Sequence, residues 1–274
     1  MSEEEVLKRT SAPLTAFSLA EKLQACGVAE GQTVLVHMAM SKLGWIIGGA
    51  EAVILALLGA IGQDGSIMMV TNSSDNTDPS EWQHPPIAEE WWQSIRDHTP
   101  AYNPLTTPSR GIGVVPELFR TWPGAVRSGH PAFSLAALGP NAEFLVSDHA
   151  LNEDSGDRSP LGKLYELDGH VLLLGVDHWN NTSLHLAEFR ADYPGKSNLR
   201  TGSAMLVDGR RQWVTYETFD GDPDDFGQIG DAFDAAHNIQ IQHINDARVR
   251  FFRQRLVVDF AVDWMGKYRD LRAD

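Results

Sequence analysis

The residue pair best suited to chemistry is His185 and Glu188, which stand three positions apart in a segment that we predict to be helical. Residues at i and i+3 lie on one face of a helix, so the two side chains can meet. A carboxylate beside an imidazole fixes its tautomer and raises its basicity, which suits a general base. Ordinary surface ion pairs share this spacing, so further features must identify a site.

The elements around this pair predict where it lies. The helix over residues 182–190 follows a buried strand at 170–175 and a polar turn at 177–181. Two more buried strands, at 33–37 and 66–70, flank an apolar helix at 50–61, an order that indicates parallel strands. Ligands of such sheets bind beyond the carboxyl ends of the strands, and the His185 helix begins at that place.

The remaining patterns complete the predicted fold. Asp208 and Gly209, between apolar runs at 204–207 and 213–219, predict a hairpin whose antiparallel strands join the sheet. The fold class is therefore α/β, with a mixed central sheet, helices on both faces and an antiparallel C-terminal hairpin, in a single domain over residues 1–274. Helices are also expected after a capping box at Ser18, over 87–97 and 113–122, and after Ser159-Pro160. Residues spaced by four in the last helix predict a stripe that faces the core: Phe252, Leu256, Phe260 and Trp264.

Composition limits the classes of function. The chain has 274 residues, 22 basic and 37 acidic, and a formal charge of −15. Because nucleic-acid affinity comes mostly from Lys and Arg neutralising phosphates, a nucleic-acid partner is not expected. An acidic field attracts cations, so the charge fits either a polycationic substrate or an ordinary acidic surface. The single cysteine, Cys26, excludes internal disulfides.

Several familiar features are missing from the sequence. The phosphate-binding P-loop, the dinucleotide fingerprint, the Gly-x-Ser-x-Gly nucleophile elbow and the His-Glu-x-x-His zinc motif are all absent. The N-terminus lacks a signal peptide's basic start and apolar core, and the longest apolar run, residues 53–61, is too short to span a bilayer. We therefore expect a cytoplasmic enzyme with no membrane partner.

The segment over residues 177–188, DHWNNTSLHLAE, resembles the signature of the aminoglycoside 3-N-acetyltransferase family. The resemblance extends over nearly the whole chain, in the family's order. Its other matching segments are residues 35–44, 77–82, 107–111, 127–131, 159–165, 168–175 and 255–261.

The resemblance implies direct acetyl transfer from acetyl-CoA, used as a co-substrate without a metal, to the 3-amino group of an aminoglycoside, and hence antibiotic resistance. His185 is expected to take the proton of the attacking amine, and Glu188 to orient the ring. The Thr182 hydroxyl, or backbone N–H groups at the start of its helix, are expected to stabilise the oxyanion. The resemblance places coenzyme A against two segments, Ser41, Lys42, Leu43 and Gly44, and Thr107, Ser109, Arg110 and Gly111.

The acceptor side is predicted from polar and acidic loops. Asn72 and Asp75 belong to a long irregular loop over residues 72–86, and loops of this kind are often functional. Glu217 and Asp225 bound an acidic stretch, residues 217–225, that we expect to bind ammonium groups, although an ordinary solvated loop is the alternative. A homodimer is compatible with these expectations.

Three other functions are left open by the sequence. One is acetylation of a different small amine, such as an aminophosphonate. Another is a metal-dependent hydrolase using His178, His185 and Glu188, and the third is a non-catalytic binder of cationic sugars. The other histidines in polar or irregular contexts are expected at the surface: His84, His98, His149, His237 and His243.

Overall fold

The computed structural model describes residues 3–83 and 85–269 of the chain. His84, predicted to be a surface residue, lies outside the described residues. The helices of this part are α1 (Glu3–Arg9), α2 (Ala16–Ala25), α3 (Gly49–Ile61), α4 (Trp92–His98), α5 (Val114–Phe119), α6 (Ala142–Val146), α7 (Pro160–Glu166), α8 (Ser183–Arg190), α9 (Phe226–Ala236) and α10 (Gln254–Tyr268). The strands are β1 (Thr33–Met38), β2 (Ser66–Val70), β3 (Val126–Arg127), β4 (Leu135–Leu138), β5 (His170–Leu174), β6 (Ser197–Val207), β7 (Arg210–Asp220), β8 (Gln242–Ile244) and β9 (Ala247–Arg253).

Seven strands form the central sheet in the order β3-β4-β2-β1-β5-β9-β8. β1 pairs in parallel with β2 and with β5, whereas the other neighbours are antiparallel. The predicted α/β class with a mixed sheet is confirmed. Because the three parallel strands are adjacent, their carboxyl ends meet at one edge of the sheet, where ligand sites of this class form.

Alternating residues of the central strands supply two separate cores. Val34 and Val36 of β1 pack with α2, α3 and α5, while Leu35 between them packs on the opposite face with α6 to α10. Successive side chains of a strand point to opposite faces, so an uninterrupted apolar strand must be covered on both sides. The expected helices on both faces are present. Within residues 3–83 and 85–269, no helix is long and apolar enough to cross a membrane.

The hairpin forms as predicted, but it does not join the central sheet. β6 and β7 make their own two-stranded sheet, closed by Asp208 and Gly209, both at positive φ (50° and 73°) as in a type I′ turn. The expectation that these strands extend the central sheet is wrong. They dock instead on the loop after β2, where the Asn76 side chain accepts a hydrogen bond from the Ala204 N–H at 2.9 Å. The antiparallel strands of the central sheet are β3, β4, β8 and β9.

Two helix termini differ from the prediction in detail. The capping box of α2 is centred on Thr15, whose hydroxyl accepts from the Ser18 N–H, and Ser18 is therefore the third helical residue. The predicted stripe on the last helix is confirmed only in part. Phe252, Phe260 and Trp264 pack in or against the core, but Leu256 is 42% exposed, and Phe252 belongs to β9 because α10 begins only at Gln254. The buried face of α10 consists of Gln254, Val257, Val258, Ala261 and Met265.

Candidate active site

His185 and Glu188 form a hydrogen-bonded pair on α8. His185 Nδ1 lies 2.7 Å from Glu188 Oε2, and the Glu188 side chain has no exposed surface, whereas the imidazole is 31% exposed. An ionised carboxylate only accepts hydrogen bonds, so Nδ1 carries the hydrogen, and in the neutral ring Nε2 keeps a free lone pair. This is the tautomer that a general base requires.

The backbone of Gly221 covers this hydrogen bond. A Cβ at this position would lie 3.1 Å from Glu188 Oε2 and 3.2 Å from His185 Nδ1. The second oxygen of Glu188, Oε1, accepts from the Asp222 N–H at 2.9 Å and from Arg269 Nη1 at 2.7 Å. Both carboxylate oxygens are thus engaged within the protein, and the imidazole of His185 is the exposed member of the pair.

A large cavity of about 580 Å³ opens at the carboxyl ends of β1, β2 and β5. Residues that follow each of the three strands line it, together with His185 and Thr182. Gly111 and Gly113 also line it, both at positive φ and with nothing within 4 Å of the place a Cβ would take. Backbone N–H groups can therefore approach a ligand closely there.

A second, small cavity of about 180 Å³ also has His185 in its wall. Its other polar lining residues come from several separate segments: Glu81, Asp154, Ser155, Thr201, Thr218 and Asp220. Burial raises the pKa of both Glu81 and Asp154. Three buried oxygens of this cavity have no hydrogen-bond partner among the described residues, namely Glu81 Oε1, Thr201 Oγ1 and Thr218 Oγ1. Buried polar atoms are rarely unpaired, so this lining suits a ligand that donates hydrogen bonds.

Thr182 offers a hydroxyl to the large cavity. Its Oγ1 lies 3.3 Å from Nε2 of His37, a residue whose pKa burial lowers to about 3, so His37 is neutral near pH 7. The N–H groups of Ser183, Leu184 and His185 are used inside the turn, by Asn181 Oδ1, Asn181 O and Thr182 O. The sequence suggests two kinds of oxyanion donor, the Thr182 hydroxyl and the backbone N–H groups at the start of its helix. Because these three N–H groups already donate within the turn, the hydroxyl is the candidate that remains.

The residues of the segment 107–111 differ in whether they line the large cavity or bond within the protein. Gly111 lines the large cavity, whereas the Ser109 N–H and hydroxyl both donate to Glu117, at 2.9 and 2.5 Å. The Thr107 carbonyl accepts from the buried Arg127, and Arg110 is exposed. Gly111 is therefore the residue of this segment that lines the large cavity, and Arg110 is exposed without lining either cavity.

The segment 41–44 follows β1, but none of its residues lines either cavity. Ser41 and Lys42 belong to the turn Met40–Lys42, and Lys42 is exposed. Leu43 has no exposed surface, so it is a core residue, and direct ligand contact by its side chain is excluded. Thr10 Oγ1 and Asn245 Nδ2 fill the space beside Gly44, at 3.0 and 3.3 Å from the position a Cβ would take. The absence of a side chain at Gly44 therefore serves packing within the protein.

The four predicted acceptor residues are not brought together. Asn72 lines the large cavity. Asp75 lines neither cavity and lies 3.7 Å from Arg110, and Glu217 is exposed on β7 opposite Arg200. Asp225 does not fit the expected role of binding ammonium groups of a substrate. Its side chain is fully buried and accepts hydrogen bonds from Nε and Nη2 of Arg269.

Sequence reasoning missed the carboxylates that do line a cavity. Asp220 belongs to the same acidic stretch as Glu217, and its position at the end of β7 was a usable signal. Glu81 and Asp154 lie far apart in the chain, and only the fold brings them beside His185. His149, predicted at the surface, is partly buried and supports this cavity: its Nε2 lies 2.8 Å from the Asp154 carbonyl.

His178 is turned away from the His185 dyad. It is 2% exposed, its Nε2 lies 3.1 Å from Asp234 Oδ1, and its ring stacks on Phe252. Within residues 3–83 and 85–269, no group of three His, Cys, Asp or Glu side chains is arranged to hold a metal ion. The geometry therefore gives no support to the metal-dependent hydrolase considered above.

Comparison with known sequences identifies the family of the chain. The sequence profile described as aminoglycoside 3-N-acetyltransferase matches residues 35–266. The SPbeta prophage-derived aminoglycoside N(3')-acetyltransferase-like protein YokD of Bacillus subtilis (strain 168) is 41% identical over 94% of this chain and 95% of its own. Aminoglycoside N(3)-acetyltransferase VIII of Streptomyces fradiae is 41% identical over 80% of this chain and 76% of its own.

Solved structures agree in fold. YokD from Bacillus subtilis superposes with a TM-score of 0.94 at 40% identity, covering 97% of this chain and 98% of its own. AAC-IIIb in a binary complex with CoASH superposes with a TM-score of 0.83 at 33% identity, covering 93% of this chain and 97% of its own. AAC-VIa bound to sisomicin superposes with a TM-score of 0.84 at 28% identity, covering 94% of this chain and 99% of its own. The chain belongs to the aminoglycoside 3-N-acetyltransferase family.

Proposed function

We propose that this protein transfers the acetyl group of acetyl-CoA to the 3-amino group of the deoxystreptamine ring of an aminoglycoside. One observation carries the proposal: His185 lies in the wall of two cavities at once, a large one at the sheet edge and a small one lined by carboxylates. A base in that position can reach a donor in one cavity and an amine in the other.

The large cavity is the proposed site of acetyl-CoA. Its volume of about 580 Å³ falls in the usual range for small-molecule sites. Gly111 and Gly113 allow backbone N–H groups to approach a phosphate, and the exposed side chains of Lys42 and Arg110 can meet its charge. The complex of AAC-IIIb with CoASH supports coenzyme A binding by the family.

The small cavity is the proposed site of the acceptor amine. Glu81, Asp154 and Asp220 supply negative charge, and the unpartnered oxygens of Glu81, Thr201 and Thr218 can accept hydrogen bonds from ammonium groups. A volume of about 180 Å³ holds part of an aminoglycoside, so we place one ring there and the rest of the molecule outside. Sisomicin bound to AAC-VIa supports this class of acceptor.

The reaction follows from the position of the imidazole. The neutral amine attacks the thioester carbonyl carbon, and His185 Nε2 takes the proton that the nitrogen loses as the C–N bond forms. The C–S bond then breaks, and the imidazolium returns the proton to the sulfur, so that coenzyme A leaves as a thiol. Glu188 holds the ring and stabilises the imidazolium, and the Thr182 hydroxyl donates to the oxyanion.

Antibiotic resistance is the proposed consequence. An aminoglycoside acetylated at one amine has lost one positive charge. Binding to a nucleic acid depends on neutralising phosphates, so the product binds RNA more weakly than the antibiotic. Expression of this protein in a sensitive bacterium is therefore expected to raise the inhibitory concentration of those aminoglycosides that it acetylates.

The direct test is thiol release from acetyl-CoA with a panel of acceptors: gentamicin, apramycin, an aminophosphonate and a bare amine as control. The proposal predicts turnover with an aminoglycoside and a product whose acetyl group NMR places on the 3-amino nitrogen. Turnover with the aminophosphonate alone would move the function to another small amine. Aminoglycoside binding without thiol release would indicate a non-catalytic binder.

A further inference from the structure

We infer that Arg269 is a positioning residue for the reaction: it holds the Glu188 carboxylate in the orientation that fixes the tautomer of His185. The inference rests on the proposed function for its kinetic consequence only. The arginine was not recognised in the sequence, because it lies 81 positions beyond Glu188 and outside every segment that resembles the family.

The geometry around Arg269 joins three segments of the chain. Nη1 donates to Glu188 Oε1 at 2.7 Å, while Nε and Nη2 donate to Asp225 Oδ2 and Oδ1 at 2.9 and 2.7 Å. Nη2 also donates to the Asp222 carbonyl at 2.8 Å. The guanidinium thus ties the end of α10 to α8 and to the turn before α9, and Asp222 contributes its own N–H to the same Glu188 oxygen.

Burial makes this contact decisive for the carboxylate. Glu188 and Asp225 have no exposed surface, and Arg269 is only 7% exposed. Two buried carboxylates stay ionised only when charges or hydrogen bonds compensate for the water that they lose. The planar fork of arginine serves both acids at once, whereas lysine presents a single point of charge.

The fixed carboxylate determines which ring nitrogen of His185 is free. Arg269 and the Asp222 N–H hold Oε1, so Oε2 faces His185 Nδ1 and keeps the hydrogen on that nitrogen. Without the guanidinium, the Glu188 carboxylate loses a hydrogen-bond donor and can rotate. The ring can then place its hydrogen on Nε2, which in that tautomer cannot accept a proton from an amine.

The test separates this role from simple support of the fold. Arg269→Met alone removes the positive charge that binds the buried Asp225 carboxylate and is expected to destabilise the protein. The double variant Asp225→Asn/Arg269→Met removes one negative and one positive charge together, so it keeps the net charge of the cluster. In this variant we expect folding to be retained and kcat to fall about 10- to 100-fold, as for the partners that orient metal-bound histidines.

A spectroscopic readout makes the result independent of activity. ¹⁵N NMR of ring-labelled protein, with the His185 signals assigned by a His185→Gln variant, measures the fraction of each tautomer. We expect the hydrogen on Nδ1 in the wild type, a mixture in the double variant, and partial recovery of both tautomer and kcat in Arg269→Lys. Arg250→Met removes another buried arginine, bound to Asp234 and Asp177, and is expected to leave the His185 tautomer unchanged.

A folded double variant with wild-type tautomer and wild-type kcat would overturn the inference and reduce Arg269 to a structural counterion of Asp225. If the wild type acetylates no acceptor at all, the proposed function fails. The tautomer measurement then still decides whether Arg269 positions the dyad.

Discussion

Glu188 accepts a hydrogen bond from His185 Nδ1 at 2.7 Å while having no exposed surface of its own. The Nδ1 edge of the imidazole is therefore fixed by this hydrogen bond, and in the neutral ring Nε2 carries the lone pair. A solvated surface pair would not have this asymmetry, because its carboxylate would exchange the imidazole for water. The pair is therefore suited to orient a base that lies in the wall of both cavities.

The first prediction concerns capture of the acceptor. Glu81→Gln and Asp154→Asn should each raise the acceptor KM about 10-fold and change kcat less, because the lost charge acts mainly on binding of a cation. The salt dependence of kcat/KM should also flatten, since part of the attraction is Coulombic. Steady-state kinetics at two ionic strengths measure both effects. Glu143→Gln, an exposed carboxylate on α6, is the matched control, and equal KM values in all three variants would remove these carboxylates from the acceptor site.

The second prediction concerns stability in acid. Burial lowers the pKa of His37 and His130 to about 3 and that of His149 to about 4, against an ordinary value of 6.5. At pH values between 6.5 and these lowered pKa values, the histidines of the unfolded chain bind protons that those of the folded chain do not. The stability that these neutral rings contribute is thus complete above about pH 6.5 and is lost as the pH falls toward 3 to 4.

Urea unfolding at several values of pH tests this sign. His37→Asn and His149→Gln should each reduce the slope of the unfolding free energy against pH, between pH 6 and 5, by about 1.4 kcal/mol per pH unit, the equivalent of one proton. His98→Gln, which changes an exposed residue, should leave the slope unchanged. A wild-type slope in both buried-histidine variants contradicts the prediction.

The oxyanion donor gives a third prediction. Thr182→Val keeps the shape of the side chain but removes the hydroxyl that faces the large cavity. Loss of one such donor costs roughly 10²-fold in kcat, with little change in either KM. Thr182→Ser should restore most of the rate because it restores the hydroxyl. If Thr182→Val turns over normally, another group must stabilise the oxyanion.

Coenzyme A binding provides the fourth prediction. Gly113→Val should weaken binding measured by calorimetry at least ~10-fold, because a side chain at φ 92° is strained and would narrow the cavity wall. Gly44→Val should instead lower the unfolding temperature, since its side chain would collide with Thr10 and Asn245. A folded Gly44→Val protein with weak coenzyme A binding and a Gly113→Val protein with normal binding would reverse this assignment.

Much of the scaffold was predictable from the sequence, because local patterns determine it. Apolar runs located β1, β2 and β5 within one residue, and the i, i+3 spacing of His185 and Glu188 located the dyad. The buried face of α10 was predicted only in part, because the repeat was counted from Phe252, which belongs to the preceding strand.

The small cavity, the proposed acceptor site, could not be predicted in the same way. Glu81, Asp154 and Thr201 come from separate loops and strands, and no local spacing relates them. The acidic stretch over residues 217–225 was recognised as a dense charge cluster, but charge density does not show where each side chain points. Asp220 lines a cavity, Glu217 faces solvent, and Asp225 is buried against Arg269. Long-range contacts, which depend on the whole topology, decide such assignments.

The most direct test of the account is the turnover of His185→Ala beside its affinity for coenzyme A. Removing a general base should lower kcat at least ~10²-fold, while calorimetry gives a coenzyme A affinity near that of the wild type. Glu188→Gln should lose less, because its carboxylate orients the ring and does not receive the amine's proton. A folded His185→Ala protein that acetylates aminoglycosides at close to the wild-type rate would contradict the central claim.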